Sequence, residues 1–236
     1  DDFNYFNTFA IEEKKKGYHL QSREEALSYL EKIYASDFDG DMLVQPFVNG
    51  GDGTEYTING YRAGDGQISI SQARALLMDK RSMWVGNYLV LCDSYREDLN
   101  RLAVKIIQGL DYYGFFNFDL KIDAKTGEAY VFELNFRLGR SSYCARLNGI
   151  NLLEIAVSDL IYGCPSTQKA DKAFNWVVIS KEASEGLLLP ELKELFLQEE
   201  RLANTGNSIL YDKDSNLRRN LRLKEYLKKM TKEYEK

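Results

Sequence analysis

Histidine is almost missing from this sequence: one residue, His19, among 236. A nucleophile–histidine pairing of the hydrolase kind has little to build on, and His19 itself reads as a surface residue. Cysteine is scarce as well. Cys92, Cys144 and Cys164 are scattered and odd in number, with no CxxC spacing and no histidines beside them. That argues against a disulfide framework or a zinc site and for a reduced, cytoplasmic setting. No apolar run approaches the roughly 18 residues of a membrane span; residues 83–92, the longest candidate, carry polar side chains and read as strand. An excess of positive charge is lacking too. Lys and Arg number 31 against 36 Asp and Glu, a net charge of -5, which suits a mixed surface better than a nucleic-acid-binding module. No internal repeat, low-complexity segment or signal-peptide pattern is visible, and the chain opens Asp1-Asp2-Phe3.

What is present is a globular composition, 44% hydrophobic and 13% aromatic, enough for a sizeable core. Ser22-Arg23-Glu24-Glu25 and Ser94-Tyr95-Arg96-Glu97 have the form of capping boxes opening helices. The second precedes the cleanest amphipathic pattern, with Leu99, Leu102, Ala103, Ile106, Ile107 and Leu110 on one face. Asn151-Leu152-Leu153-Glu154 opens a third helix, stopped by Gly163-Cys164-Pro165. Strands are expected at 18–20, 42–48, 55–61, 67–77, 85–91, 113–122, 128–136 and 174–179, and further helices at 190–197 and 221–235. The lysine-rich last helix reads as a solvated face.

The hairpin 113–136 carries the chemistry. Side chains alternate along a strand, so Phe116, Phe118, Leu120 and Ile122 share one face, and Asn117, Asp119 and Lys121 the other. On the returning strand Tyr130, Phe132 and Leu134 oppose Val131, Glu133 and Asn135. An even register, for instance Ile122 opposite Glu128, gathers Asp119, Glu133 and Asn135 above an apolar floor; a slip of one residue separates them. Two carboxylates and an amide oxygen suit magnesium, a hard cation that leaves positions for water and phosphate. From the hairpin alone, a solvent-facing row of ordinary charges is an equal reading. Arg137 and Arg140 follow directly, and guanidinium groups bind phosphoryl or carboxylate oxygens bidentately. A metal triad with arginines describes a phosphoryl-transfer site; pairing with surface acids is the plainer alternative.

The stretch Leu43-Val44-Gln45-Pro46-Phe47-Val48 runs into the Gly-rich loop Asn49-Gly50-Gly51-Asp52-Gly53. The Pro46 carbonyl and Val48 amide could meet the edge of a flat base, Gln45 offers both a donor and an acceptor, and Asp52 could accept from ribose hydroxyls. By itself the signal is weak, and such a stretch is more often a plain strand end.

In order along the chain, these pieces resemble the ATP-grasp superfamily. The markers are Gln45-Pro46-Phe47-Val48 with its following acid, Phe118-Asp119, and Glu133-Leu134-Asn135-Phe136-Arg137, with fourteen residues from Asp119 to Glu133. Phe116-Asn117-Phe118-Asp119-Leu120-Lys121, the run 132–141 and Gly86-Asn87 are similar to carboxylate–amine ligases of the D-aspartate ligase type. The resemblance covers most of residues 10–165. It implies an α+β fold of antiparallel sheets with flanking helices and a nucleotide cleft between two subdomains. Residues 1–48 would belong to the small subdomain, 49–165 to the large one with the metal site, and 166–236 to a helical extension.

It also implies ATP as cofactor, with Gln45, Pro46, Phe47 and Val48 on the adenine and Asp52 on the ribose. Asp119, Glu133 and Asn135 would hold one or two magnesium ions, manganese being an alternative. Arg137 would steady the transferring phosphoryl group, Arg140 and Ser141 would meet phosphate or substrate carboxylate, Lys16 would be a further phosphate ligand, and Asn117 would line the same face. The reaction implied joins a small-molecule carboxylate, such as an amino acid, to an amine through an acyl phosphate. Cell-wall precursor modification is the nearest biological setting, with no nucleic acid and no membrane span. The family's other phosphate-touching lysine and its N-terminal domain are expected upstream of Asp1, so the chain reads as the C-terminal two thirds of an enzyme. A nucleotide-binding module without catalysis is the alternative; a glycosidase using Asp119 and Glu133 leaves the arginines and residues 45–48 unexplained.

Overall fold

The computed structural model describes residues 5–11, 17–81, 84–210, 213 and 216–234. They fall into two compact units, residues 1–47 with 79–87, and residues 48–78 with 88–236.

The smaller unit is organised around helix α1 (Arg23–Tyr34). The Ser22 side chain accepts from the Glu25 amide at 3.1 Å, and the Glu25 carboxylate takes the Gln21 amide at 2.7 Å, so early helix donors are satisfied reciprocally as the sequence predicts. Ile33 is turned inward with Phe6 and Phe38, whose rings meet edge to face with centroids 5.3 Å apart. The strands expected at 18–20 and 42–48 are not formed. In the second, Leu43, Val44 and Phe47 are exposed and Pro46 has no amide to donate, so β-type composition finds no ladder to join.

The larger unit holds a seven-stranded sheet in the order β5-β4-β1-β2-β3-β6-β7. Its strands are β1 (Glu55–Arg62), β2 (Ile68–Met78), β3 (Tyr88–Asp93), β4 (Gly114–Ile122), β5 (Ala129–Asn135), β6 (Asn175–Val177) and β7 (Thr205–Gly206). All neighbours are antiparallel except β6 and β7. With its flanking helices this is the α+β arrangement expected, though the described strands all lie in this one sheet. Asn175–Val177, within the expected 174–179, and Thr205–Gly206 add two strands at its far edge, so the C-terminal stretch is built into the sheet.

One face of β1 and β4 is apolar. Tyr56, Ile58, Phe116, Phe118 and Leu120 pack under α2 (Glu97–Gly109), which contributes Leu99, Ala103 and Ile107. Gly60 sits opposite Phe116, where a Cβ would come within 2.3 Å of the phenyl ring; only glycine lets that ring lie flat on the strand. The start of α2 departs from expectation. Its N-cap is Arg96 with no side-chain cap. Gln72 serves the turn from outside instead, accepting from the Arg96 amide at 3.0 Å and donating to its carbonyl at 3.1 Å. Leu110 falls after the helix and is exposed.

The remaining helices are α3 (Tyr143–Leu147), α4 (Leu152–Leu160), α5 (Lys181–Leu187), α6 (Pro190–Phe196), α7 (Glu199–Ala203) and α8 (Leu217–Tyr234). The Asn151 cap of α4 is as the sequence predicts, its side chain accepting from the Glu154 amide. A second core joins Leu76, Leu91 and Trp176 of the sheet to Leu192 and Phe196 of α6.

Phe118 is fully buried. Phe118→Ala is expected to cost about 3–5 kcal/mol, seen as a lower urea midpoint with native secondary structure at zero denaturant. A loss below about 1 kcal/mol, the scale of a surface change, would contradict the packing described.

Candidate functional site

The face of β1, β4 and β5 turned away from α2 is polar, and the ladder sets its side chains in rows. Asn59 stands opposite Asn117, which stands opposite Asn135. Thr57 stands opposite Asp119, which stands opposite Glu133. Glu55 stands opposite Lys121. Directly opposed residues share a face with Cβ atoms about 5 Å apart, so the two carboxylates and the Asn135 amide are neighbours on one side of the sheet.

The register that achieves this is not the single one expected. Asp119 to Asn117 pair with Glu133 to Asn135, but Leu120, Lys121 and Ile122 pair with Val131, Tyr130 and Ala129, with a bulge between the two sets. Phe132 is the extra residue, and it is half-exposed at the sheet edge. The bulge lets Ala129 and Leu134, one odd and one even in number, pack against the same core. Strict alternation along β5 therefore fails: Tyr130 and Phe132 do not lie on the apolar floor. A bulge on an edge strand re-aims side chains in this way.

Asp119 is largely buried. Its Oδ1 accepts the Tyr88 hydroxyl at 2.8 Å. Burial raises its pKa above the ordinary value; Tyr88 and Thr57 oppose the rise by hydrogen bonding, Glu133 adds to it and the Arg137 guanidinium opposes it. Arg137 thus stands close enough to act on the carboxylate. Burial, with Asp119 adding, pushes Tyr88 well above the usual range and keeps its proton in place as a donor. Glu55 is also raised, first by burial, against the pull of Lys121, whose Nζ lies 3.4 Å away. Opposed carboxylates on a buried floor, one held by a neutral hydroxyl, gain from a hard cation. The donors present thus fit magnesium. Among the described residues no group of three or more His, Cys, Asp or Glu is arranged to hold a metal; the candidate set is two carboxylates and an amide.

The turn after β5 is fastened down from beneath. Ser141 is buried, its hydroxyl 3.0 Å from that of Thr57 and accepting from Asn59 at 3.1 Å. Asn117 donates to Thr57 at 3.0 Å and accepts from Asn135 at 3.3 Å. Gly139 lies so close that a Cβ would stand 2.7 Å from the Asn117 amide oxygen. Ser141 was expected among the phosphate contacts; its hydroxyl is turned into the sheet and ties the 136–142 segment to β1. Arg137 and Arg140 above it are exposed, and the Arg140 guanidinium lies 5.9 Å from the Trp176 ring centre.

The Gly-rich loop is ordered by the same sheet. Asn49 donates through backbone and side chain to Asp123, both at 2.9 Å, and these bonds with the Thr126 and Lys125 amides hold the Asp123 carboxyl well below the usual range. Asp52 accepts the Met78 amide at 2.9 Å and acts on Glu55 through its charge. Val48, at the head of the loop, is buried. Gln45, Pro46 and Phe47 belong to the smaller unit and are exposed; Phe47 stacks on His19 with centroids 4.0 Å apart. Lys16, expected as a phosphate ligand, lies outside the described residues. Sequence reading missed Glu55, Thr57, Asn59 and Tyr88. Alternation of Glu55, Thr57 and Asn59 with Tyr56 and Ile58 was visible, but not that β1 lies beside β4.

The raised Asp119 carboxyl has a stability consequence. Folded protein keeps this proton to higher pH than the unfolded chain, so its contribution to stability falls as pH rises above the ordinary aspartate range. Asp119→Asn removes that penalty, and its amide oxygen can still accept from Tyr88. The Tm of the metal-free protein at neutral pH is expected to rise by about 2–4 °C, while magnesium stabilises wild type and not the variant. A lower Tm in the variant would contradict this assignment.

Residues 76–158 match the family model of the carbamoyl-phosphate synthase L chain, ATP binding domain. Over 225 residues the chain is 32% identical to a D-aspartate ligase of Enterococcus faecium (strain Aus0004), a match covering 91% of this chain and 53% of the relative. The chain thus spans about half the length of that relative. Among solved structures, the biotin carboxylase subunit of a pyruvate carboxylase superposes with a TM-score of 0.43 at 14% identity, over 69% of this chain and 38% of that one. The ATPase subunit of phosphoribosylaminoimidazole carboxylase from Aquifex aeolicus gives 0.43 at 15% identity, over 55% and 40%. Over nearly all of its length the chain is thus similar to a D-aspartate ligase, and its central third carries the ATP-binding-domain match.

Proposed function

We propose that this chain is the nucleotide- and metal-binding part of a carboxylate–amine ligase. It activates an amino-acid carboxylate with ATP and passes it to an amine to form an amide. The observation that carries this reading is the direct opposition of Asp119 and Glu133 on one face, with Arg137 acting on the same carboxylate.

In this reading Asp119, Glu133 and Asn135 hold magnesium, for which manganese could substitute. ATP with its metal supplies the phosphoryl group that turns the carboxylate into a mixed anhydride, with the crowded oxygen charge offset by metal and guanidinium. The chain's own residues do the positioning. Tyr88 and Thr57 fix the Asp119 carboxyl, leaving Glu133, at the exposed edge, to complete the set. Ser141, bonded to Thr57 and Asn59, holds the turn that presents Arg137 to the phosphoryl oxygens and Arg140 to phosphate or substrate carboxylate. Gln45, Pro46, Phe47 and Val48 offer the adenine backbone and side-chain partners, Asp52 the ribose. Lys16 is proposed as a further phosphate ligand. When the amine attacks, the C–N bond forms as the C–O bond to phosphate breaks; phosphate departs without a histidine acid, and the proton lost from the amine passes to the departing phosphate or to water.

The D-aspartate ligase relative supports D-aspartate as the acid, and an amine of a peptidoglycan precursor is the acceptor we propose. A cytoplasmic setting accords with three unpaired cysteines, Cys92 and Cys144 of them buried. In the complete enzyme, magnesium-dependent phosphate release from ATP should require both D-aspartate and an amine. Glu133→Gln should lower it by about 100-fold or more, the order lost with one charge-stabilising group, at unchanged Tm. Near-normal turnover in that variant would refute the site. Nucleotide binding without phosphate release, with every amino acid tried, would favour a non-catalytic binding module.

A further inference from the structure

We propose that α8 seats the protein on an anionic membrane surface. The helix has seven basic and two acidic residues, a net of +5, in a chain whose total is -5. The rest of the chain is therefore twice as acidic as the whole, and the positive charge is concentrated on one 18-residue element. Residues 219, 223, 227, 230 and 234, three or four apart, are half-buried, and Met230 and Tyr234 pack against the core of β2, β3 and β6. That stripe fixes which side faces outward. Arg218, Arg222, Lys224, Lys228, Lys229 and Lys232 are exposed, and among the described residues none of them is in an ion pair. Glu225 and Glu233 are the only acids on the helix.

Two features select lipid over other polyanions. Leu217 and Leu221 are 78% and 56% exposed and lie one turn apart among the cations, where water gives them nothing to pack on and a headgroup layer would. At the same end Arg218, Arg222 and Tyr226 border a cavity of about 460 Å³, where two exposed guanidinium groups suit a phosphodiester. Single-stranded nucleic acid would want a row of aromatic stacking platforms, and Tyr226 stands alone there. No helix among the described residues is long and apolar enough to cross a membrane, so α8 would lie along the interface. Nothing in this depends on the ligase reading.

The test is sedimentation of the full chain with vesicles of phosphatidylcholine alone and of phosphatidylcholine mixed with phosphatidylglycerol. Binding is expected only to the anionic vesicles and is expected to weaken as salt rises. Each surface cation contributes about fivefold to such binding, so the triple variant R218Q/R222Q/K228Q, which removes three of them, should lose about 100-fold. L217S/L221S should lose several-fold on vesicles while leaving any retention on heparin or single-stranded DNA unchanged. All five side chains are exposed, so Tm and helix content should hold in both variants. Equal partition onto neutral and anionic vesicles, or none onto either, would overturn the proposal. So would vesicle binding indifferent to the leucines and matched by single-stranded DNA, which would make α8 a general polyanion surface.

Discussion

The pairing of Asp119 with Glu133 across two neighbouring strands is the constraint on which the rest depends. Like charges placed opposite each other in a ladder are unfavourable, and here one of them is also buried, which costs more. The chain tolerates the arrangement because Tyr88 and Thr57 bond to the buried partner while the other remains at an exposed edge. The floor beneath is fixed by Phe116, Phe118 and Leu120, each 1% exposed or less. Turning β4 over would put those side chains in water, so hydrophobic burial, and not attraction between the polar groups, holds the carboxylates face to face.

The bulge at Phe132 reconciles two demands on β5. Near the hairpin turn, Ala129 must face the core; near the site, Leu134 must do so and Glu133 must not. Their numbers differ in parity, so no regular strand can satisfy both, and one extra residue at the edge resolves it. Beyond the bulge the buried network of Thr57, Asn59, Asn117 and Ser141 continues the same plan. Each of these polar side chains has a partner, so the network adds rigidity instead of an unpaired burial cost. It fixes the segment bearing Arg137 and Arg140 while leaving the arginines themselves exposed.

Much of this was legible in the sequence, for identifiable reasons. Period-two alternation gave β4 and its two faces, and capping residues gave the starts of α1 and α4. The candidate carboxylates came from one hairpin, where separation along the chain is short and a two-strand register suffices. What depended on distant pairing was not legible. Glu55, Thr57 and Asn59 reach the site only because β1 inserts beside β4, and Tyr88 only because β3 follows β2. Ser94 has the form of a cap, yet Gln72 from another strand takes that role. The stretch 42–48 has strand composition but pairs with no strand among the described residues. Ser141 was expected as a ligand from its place after the arginines; that its hydroxyl bonds to Thr57 and Asn59 depends on β1 and could not be read locally. Local chemistry was readable, and the side on which a residue is spent was decided by tertiary neighbours.

The central claim is that a divalent cation sits above the Asn117–Asn135 and Asp119–Glu133 rows. The most direct measurement is paramagnetic broadening of assigned side-chain amide and methyl NMR signals on titrating manganese in the presence of ATP. The account predicts that the amides of Asn117, Asn135 and Asn59 and the methyl of Thr57 broaden first and together, and that excess magnesium restores them. Broadening centred elsewhere, with these four signals sharp, would contradict it.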